Sequence, residues 1–308
     1  MSYHQPVLLQ DCIEGLNVQP KGIYADVTLG GGGHSKEILK KLGEKGRLIG
    51  FDQDEAAEGN AKEIVDERFV FVRQNFSYMK NFLRMHNALP LNGLLADLGV
   101  SSHQIDTTER GFSIRSDAEL DMRMDKNSKL TAKDVVNKYS EKELLRIFKE
   151  YGEVKNAKKL ANAIVTERAK NEIKTTGALK TVISNNITLH PSRRVRGGLQ
   201  KYLAQVFQAL RIEVNNELEA LKELLNQSVE VLTEGGRLVV ISYHSLEDRL
   251  VKNFIKTGNF QGEVKKDFYG NIIRPFTPVS RKVIVPSEEE INKNNRARSA
   301  KLRIAEKL

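Results

Sequence analysis

The stretch Tyr24-Ala25-Asp26-Val27-Thr28-Leu29-Gly30-Gly31-Gly32-Gly33-His34-Ser35 decides the fold. A largely apolar run turns through four glycines, and Ser35 follows where it can cap a helix carrying Ile38, Leu39 and Leu42. A strand that enters a helix through a tight turn opens a βαβ crossover. Glycines there let the backbone bend sharply and approach a ligand, and the helix N-terminus beyond them offers N–H groups without partners. The turn reads as a ligand cradle rather than a slack connection.

Outward from this turn the alternation repeats. Strand-like runs at 23–29, 47–51, 69–73 and 93–98, with a helix at 55–65 between the second and third, make half of an open parallel sheet. The pattern then breaks. Residues 131–187 read as helical, with Val135, Leu144, Leu145, Ile147, Leu160 and Ile164 on apolar faces. From 206 onward Leu210, Val214, Leu218, Leu221, Leu225, Val229 and Leu232 predict one long amphipathic helix stopped by Gly235-Gly236. Further strands are expected at 237–243, 282–285 and 300–305, with a helix near 246–255. The expectation is an α/β fold with a doubly wound, seven-stranded sheet. Residues 1–106 and 207–308 would form it, with a helical domain inserted at 107–206.

The composition narrows the function. Of 308 residues, 40% are hydrophobic and 29% charged, with 22 Gly and 7 Pro, which excludes bulk disorder and collagen-like repeats. One cysteine, Cys12, excludes an internal disulfide framework and a cysteine-ligated zinc cluster, and it fits a reducing cytoplasm. The N-terminus Met-Ser-Tyr-His-Gln-Pro lacks a basic region followed by an apolar core, and no apolar run approaches a membrane span. A cytoplasmic protein without membrane attachment is expected. The net charge is +9, yet residues 1–108 hold 11 basic and 14 acidic side chains while residues 109–205 hold 21 and 12. The middle segment alone equals the whole excess, which points to a polyanion such as a phosphate backbone.

The residues suited to chemistry stand at strand ends, which converge on the ligand crevice of an open α/β sheet. Asp52 lies about 20 residues past the glycines, where a carboxylate can accept both hydroxyls of a ribose. Phe76 follows the third strand and suits either an adenine face or the core. Asp97, Ser101 and Ser102 follow the fourth, and His244 the fifth; these four are the candidate catalytic residues. His244 is equally placed to cap the next helix with Ser245. A dinucleotide fingerprint would need glycine at position 35, where Ser35 stands, and a Walker loop would need Gly-Lys-Ser/Thr. Asp52 alone suits NAD as well as S-adenosylmethionine, so a nicotinamide-dependent oxidoreductase is one alternative. A non-catalytic RNA-binding or assembly factor is another. No His, Cys and carboxylate set has zinc spacing, and no metal site is expected.

Long motifs in order carry a specific resemblance. They are His4-Gln5-Pro6-Val7-Leu8-Leu9, the stretch Asp26 to Ser35, Asp97-Leu98-Gly99-Val100-Ser101-Ser102-His103-Gln104, Arg110-Gly111-Phe112-Ser113, Leu120-Asp121-Met122-Arg123-Met124-Asp125, Phe207-Gln208-Ala209-Leu210-Arg211-Ile212, Ser242-Tyr243-His244-Ser245-Leu246-Glu247-Asp248-Arg249, and Asn295 to Arg303. On these the chain resembles the MraW/RsmH family of bacterial 16S rRNA (cytosine-N4)-methyltransferases over nearly its whole length. The resemblance implies a Rossmann-like sheet that binds S-adenosylmethionine through Gly32, Gly33, His34, Asp52, Phe76, Asp97 and Gln104. It also implies a cytidine of the decoding region of 16S rRNA as substrate, met within the small ribosomal subunit, with the inserted domain recognising RNA. Oligomeric state is left open, a homodimer included.

Such a reaction asks for particular side chains. The cytosine N4 lone pair is conjugated with the ring, so an acceptor must hold its hydrogens as the nitrogen attacks. Phe112 or Tyr243 could give the base a π face. Methylation at a pyrimidine carbon would want a thiol near the strand ends, and Cys12 sits in Gln10-Asp11-Cys12-Ile13, away from all of them. Asp121, Arg123 and Asp125 are expected to form a structural ion-pair network. The basic stretch from His190 to Tyr202 is the candidate phosphate contact. Replacing Arg193 and Arg194 together by Ala should weaken RNA binding and flatten the slope of log affinity against log salt by roughly 1–2. A salt titration that returns the wild-type slope would remove both arginines from the RNA contact.

Overall fold

Apolar runs four to seven residues long in the first hundred form parallel strands covered on both faces; those at 23–26, 47–52 and 91–97 bury most of their side chains, while the edge run at 69–73 fully buries only Val72. The computed structural model describes residues 6–187, 198–280 and 282–308. His4, Gln5 and the 188–197 part of the basic stretch, Arg193 and Arg194 among them, lie outside the described residues. The chain divides into two compact units, residues 1–99 with 218–308 and residues 100–217.

The first unit carries β1 (Ile23–Asp26), β2 (Arg47–Asp52), β3 (Phe69–Arg73), β4 (Leu91–Asp97), β5 (Leu232–Ser242), β6 (Phe276–Pro278) and β7 (Lys301–Lys307). They form one seven-stranded sheet in the order β3-β2-β1-β4-β5-β7-β6. β1 to β5 run parallel, and β7 lies antiparallel between β5 and β6. Helices cover both faces. On one, α1 (Leu9–Leu16) and α2 (Gly33–Lys41) bury Cys12, Leu16, Ile38 and Leu39 against Leu48, Leu95 and Ile241. The other face buries Met79 and Leu83, Leu221 and Leu225, and Phe254 against Ile49, Leu94 and Val240. These side chains come in turn from α4 (Met79–Met85), the helix Glu217–Val231, and the helix Ser245–Thr257; α3 (Glu55–Lys62) completes the crossover between β2 and β3.

In the second unit the three-four spacing resolves into α5 (Ser102–Asp106), α6 (Ala132–Lys138), α7 (Glu141–Glu150), α8 (Ala157–Arg168), α9 (Thr176–Asn186) and α10 (Gly198–Asn215). The last two helices of the first unit are then α11 (Glu217–Val231) and α12 (Ser245–Thr257), with α13 (Glu288–Lys293) before β7. Thr131 with Asp134, and Ser140 with Glu143, build capping boxes that fix where α6 and α7 begin. Val135, Ile147, Phe148, Leu160, Ile183, Val206 and Leu210 form the core. Asp121 and Arg123 make the expected bidentate ion pair at 2.7 and 2.8 Å, whereas Asp125 caps the turn at Asn127 instead.

Three expectations change. The sixth strand is Phe276–Pro278, while 282–285 contributes only an isolated bridge from Ile284 to Leu302. Pro275 and Pro278 disguise the true strand, and proline is tolerated there because β6 is an edge strand. The long helix from 206 is two helices, α10 and α11, broken at Asn216, whose φ of 50° is a left-handed value that asparagine tolerates. Gly235-Gly236 does not stop a helix; both lie inside β5, in an irregular stretch where Leu232 pairs with Leu91 and Arg237 with Gly93. Among the described residues no helix is long and apolar enough to cross a membrane.

Asn215, at the end of α10, latches the 120–125 segment. Its side chain accepts the Met124 N–H at 2.7 Å and donates to the Met122 and Arg211 carbonyls at 2.8 and 2.9 Å. Asn215→Ala should destabilise this unit by about 1–3 kcal/mol, because buried backbone groups lose their partners. Hydrogen exchange should show faster opening at Met122 and Met124, and unchanged protection there would refute the latch.

Candidate active site

β1, β2 and β4 each end in an acid: Asp26, Asp52 and Asp97. The parallel register sets Asp26 against Gly50 of β2 and Leu95 of β4, so the three carboxyls gather at the C-terminal edge of the sheet. The strand order reverses there between β1 and β4, and such a switch point is where open α/β sheets bind ligands. Burial pushes each acid up to about 6, with mutual repulsion adding to it at Asp52 and Asp97. Asp26 is 1% exposed, whereas Asp52 and Asp97 keep an edge open to solvent.

Each acid is tied into the backbone. Asp52 accepts the Gly30 N–H through Oδ2 and the Asp54 N–H through Oδ1, both at 2.9 Å. A lone pair is left on each oxygen, the pattern a vicinal diol needs. Asp26 accepts the Ser35 hydroxyl at 2.7 Å and the Thr28 N–H at 3.2 Å. Ser35 is therefore not the cap of α2: that helix begins two residues earlier, with Gly32 as N-cap at φ 75°. Gly33 admits no side chain, since a Cβ would meet Pro6 Cγ at 2.2 Å. The cradle is thus a left-handed turn whose hydrogen bonds reach three strand ends. Asn60 closes it by donating to the Gly30 carbonyl at 2.8 Å.

Asp97 takes the Tyr243 hydroxyl at 2.8 Å, and its own N–H donates to Thr28 Oγ1 at 2.7 Å. Burial first, then the Asp97 charge, pushes the Tyr243 phenol far up, so it stays a donor. His34 is buried, with Nε2 at 3.1 Å from the Val7 carbonyl. A carbonyl only accepts, so Nε2 carries the proton; burial pulls the ring's pKa down, and Nδ1 keeps a free lone pair. Phe76 opens a short 3-10 turn capped by Asn75 and is half-buried against the core. Asn75 also donates to Gln53 at 2.7 Å, fixing the loops after β2 and β3 together.

The remaining candidates have structural duties. His244 is the N-cap of α12: its Nδ1 lies 3.4 Å from the Glu247 N–H, and Glu247 Oε2 accepts the N–H groups of Tyr243 and His244 at 2.9 and 3.3 Å. Ser101, Ser102 and Gln104 belong to the second unit. There Ser101 caps α5, with its Oγ accepting the Gln104 N–H at 3.2 Å and its own N–H donating to Gln104 Oε1 at 2.9 Å. Sequence reasoning missed Asp26, Thr28 and Asn60 as parts of the site. An acid inside the apolar run Ile23 to Val27 was the signal for the first of them.

This donor set suits a cation. A pyrophosphate would meet the solvent-open carboxyls of Asp52 and Asp97 with a third acid buried behind them, whereas a sulfonium and an amino group would be attracted by them. Asp52 with the glycine turn fits a ribose, and Asp97 fits the positive end of the cofactor, with Asp26 buried behind it and holding Ser35 and Thr28. A sheet of this order with this turn defines an S-adenosylmethionine-dependent methyltransferase.

The model of the MraW methylase family matches residues 1–308, and the chain belongs to that family. It is 57% identical over 308 residues to the "Ribosomal RNA small subunit methyltransferase H" of Flavobacterium johnsoniae, covering 100% of this chain and 99% of that one. A protein of the same name from Bacteroides thetaiotaomicron is 56% identical, with 100% and 98% covered. The chain is also similar to a solved rRNA methylase from Streptococcus thermophilus, at 12% identity, a TM-score of 0.43, and 100% and 99% covered.

A carboxyl whose folded-state pKa is raised favours the folded state most at low pH and loses that advantage as pH climbs through the folded value. In the cofactor-free protein, Asp52→Asn should therefore gain stability relative to wild type between about pH 4 and about pH 7, by roughly 1–3 kcal/mol. Denaturant melts across that range measure it. A difference that stays flat with pH would show that Asp52 ionises freely.

Proposed function

We propose that this protein transfers the methyl group of S-adenosylmethionine to the N4 amine of a cytidine in the decoding region of 16S rRNA, in the cytoplasm, on the small ribosomal subunit. The names of its relatives support the rRNA and the small subunit. The observation that carries the chemistry is Asp97, held at the switch point by Tyr243 and Thr28 with its pKa near neutrality. The cofactor, when bound, supplies an already activated methyl group, so the chain's task is alignment, exclusion of water and proton handling.

In this reading Gly32, Gly33, His34, Asp52, Phe76, Asp97 and Gln104 hold the cofactor. Asp52 takes the ribose hydroxyls, and Phe76 lies against the adenine. Asp97 accepts a hydrogen of the amine, keeping the nitrogen lone pair out of conjugation, and a carboxyl poised near 6 suits that role at neutral pH. Tyr243 donates to Asp97 and so fixes the direction of its lone pairs. Ser101, Ser102 and His244 position the base and the loops around it. The basic segment 107–206 binds the RNA.

Assembled small subunits, protein-free 16S rRNA and cytosine-containing DNA, incubated with the protein and S-adenosylmethionine, digested and read by mass spectrometry, should yield N4-methylcytidine from RNA. Asp97→Asn should lower kcat by about 100-fold at saturating cofactor. If the protein bound cofactor yet formed no methylated nucleoside on any of the three, the reading as a non-catalytic assembly factor would replace this one.

A further inference from the structure

We propose that the β6 edge of the catalytic unit is a further RNA-contact surface, in which residues 263–273 form a base-stacking finger and Lys252, Lys256, Lys282 and Arg303 form a phosphate cleft. The proposal rests on the reading of RNA as substrate.

The finger is Glu263-Val264-Lys265-Lys266-Asp267-Phe268-Tyr269-Gly270-Asn271-Ile272-Ile273. It is an ordered turn. Asp267 N–H donates to the Asn271 carbonyl and Ile273 N–H to the Lys265 carbonyl, both at 2.9 Å, and Lys266 bridges to Ile272. The Asp267 carboxylate accepts the N–H groups of Tyr269 and Asn271, each at 2.9 Å. That carboxylate is held to the backbone of the turn, and Lys265 and Lys266 stand beside it in the chain. On this turn Phe268 is 96% and Tyr269 85% exposed, edge to face with centroids 5.6 Å apart. Large aromatics held in water on a fixed turn mark an interaction site. Lys265, Lys266 and Arg274 flank them, and exposed aromatics interleaved with cations are what a single-stranded nucleic acid stacks on.

The finger is mounted on α12. Phe260 stacks on Phe254 at 5.2 Å, and the Asn253 side chain donates to the Phe260 carbonyl at 2.9 Å. The Asn259 side chain brackets the turn at Gly262 and Glu263. The same helix presents Lys252 and Lys256, one turn apart, to a small cleft closed by Pro278 of β6, by Ser280 and Lys282 after it and by Arg303 of β7. Arg303 is paired with Asp248 at 2.7 Å. The ammonium groups of Lys252, Lys256 and Lys282 make no ion pair or hydrogen bond among the described residues. Like charges converging without a counter-charge repel one another until a polyanion arrives. A nucleic-acid backbone satisfies the cleft and its bases satisfy the finger. An apolar protein surface would satisfy only the second.

Two variants test this without touching the cofactor site: F268S with Y269S, and K252Q with K256Q and K282Q. Their melting and cofactor affinity should match wild type. Binding to protein-free 16S rRNA and to assembled small subunits is measured over a salt series, alongside methyl-transfer kinetics. The aromatic pair should lose on the order of tenfold in affinity for both RNAs. The lysine triple should flatten the log-log salt slope by about 2. Each should raise KM for RNA and leave kcat at saturation unchanged. Wild-type affinity and slope in both variants would overturn the surface while methyl transfer stood. Loss confined to assembled subunits would assign the surface to a ribosomal protein and overturn it as an RNA contact. The binding readout is separate from the reaction: should wild type bind rRNA but methylate none of it, the reading of the reaction fails, while weakened binding in the variants still supports the surface.

Discussion

The register in which β1 pairs with both of its neighbours is the constraint on which the catalytic unit depends. A parallel strand aligned with β2 on one side and β4 on the other sets Asp26 against Gly50 and Leu95, so that β2 and β4 each run two residues further and end in Asp52 and Asp97 on either side of the turn that follows β1. Three carboxyls in a half-dry crevice cost folding energy, because desolvation opposes their ionisation. A ligand that brings positive charge to the same level relieves that cost on binding. The hydrogen bonds donated by the Gly30 and Thr28 N–H groups and by the Ser35 and Tyr243 hydroxyls make the arrangement tolerable in its absence and fix where the remaining lone pairs point. A slip of one residue in β1 would turn Asp26 to the other face of the sheet and move the glycine turn with it.

Much of this was legible in the sequence. The glycine turn, the acid at the end of β2 and the acid at the end of β4 lie where alternation and spacing put them, because buried parallel strands are short apolar runs with abrupt ends. What escaped has specific causes. β6 is three residues between prolines, and its status as an edge strand is a property of the sheet rather than of the segment. The break at Asn216 interrupts no apolar spacing; it needs only one left-handed residue, which periodicity does not register. Ser35 had the right chemistry for a cap, but the buried Asp26 carboxylate claims its hydroxyl. Asp26 itself was quoted as part of a strand, and only the structure shows what its oxygens hold. The duty of Ser101 as a helix cap likewise follows from which N–H groups end up within reach, whereas the cap at His244 was one of the two readings its place before Ser245 offered.

Charge is distributed with similar economy. The first 108 residues, which build the cofactor crevice, are net acidic, while 109–205 carry 21 basic against 12 acidic side chains. Several of these cations are consumed internally: Arg123 pairs with Asp121, Lys133 with Glu119, Lys138 with Asp134 and Arg146 with Glu213. The cations free to meet a polyanion are therefore fewer than composition suggests. The unpaired lysines around β6 gain weight by comparison.

The first unit is discontinuous in sequence: β4 and β5 are neighbours, yet Asp97 pairs with Ile241, and the whole of 100–217 is made between them. During synthesis from the N-terminus, the half-sheet β3-β2-β1-β4 emerges first and must wait with the hydrogen-bonding edge of β4 uncovered. The second unit, contiguous and rich in local helical contacts, can condense during that wait. The edge of β4 is closed when β5 arrives, followed by Tyr243, whose hydroxyl is the partner of Asp97. The crevice is therefore completed only after the second unit has been made, so a nascent chain that already carries Asp26, Asp52 and Asp97 lacks the finished site until β5 and Tyr243 have followed.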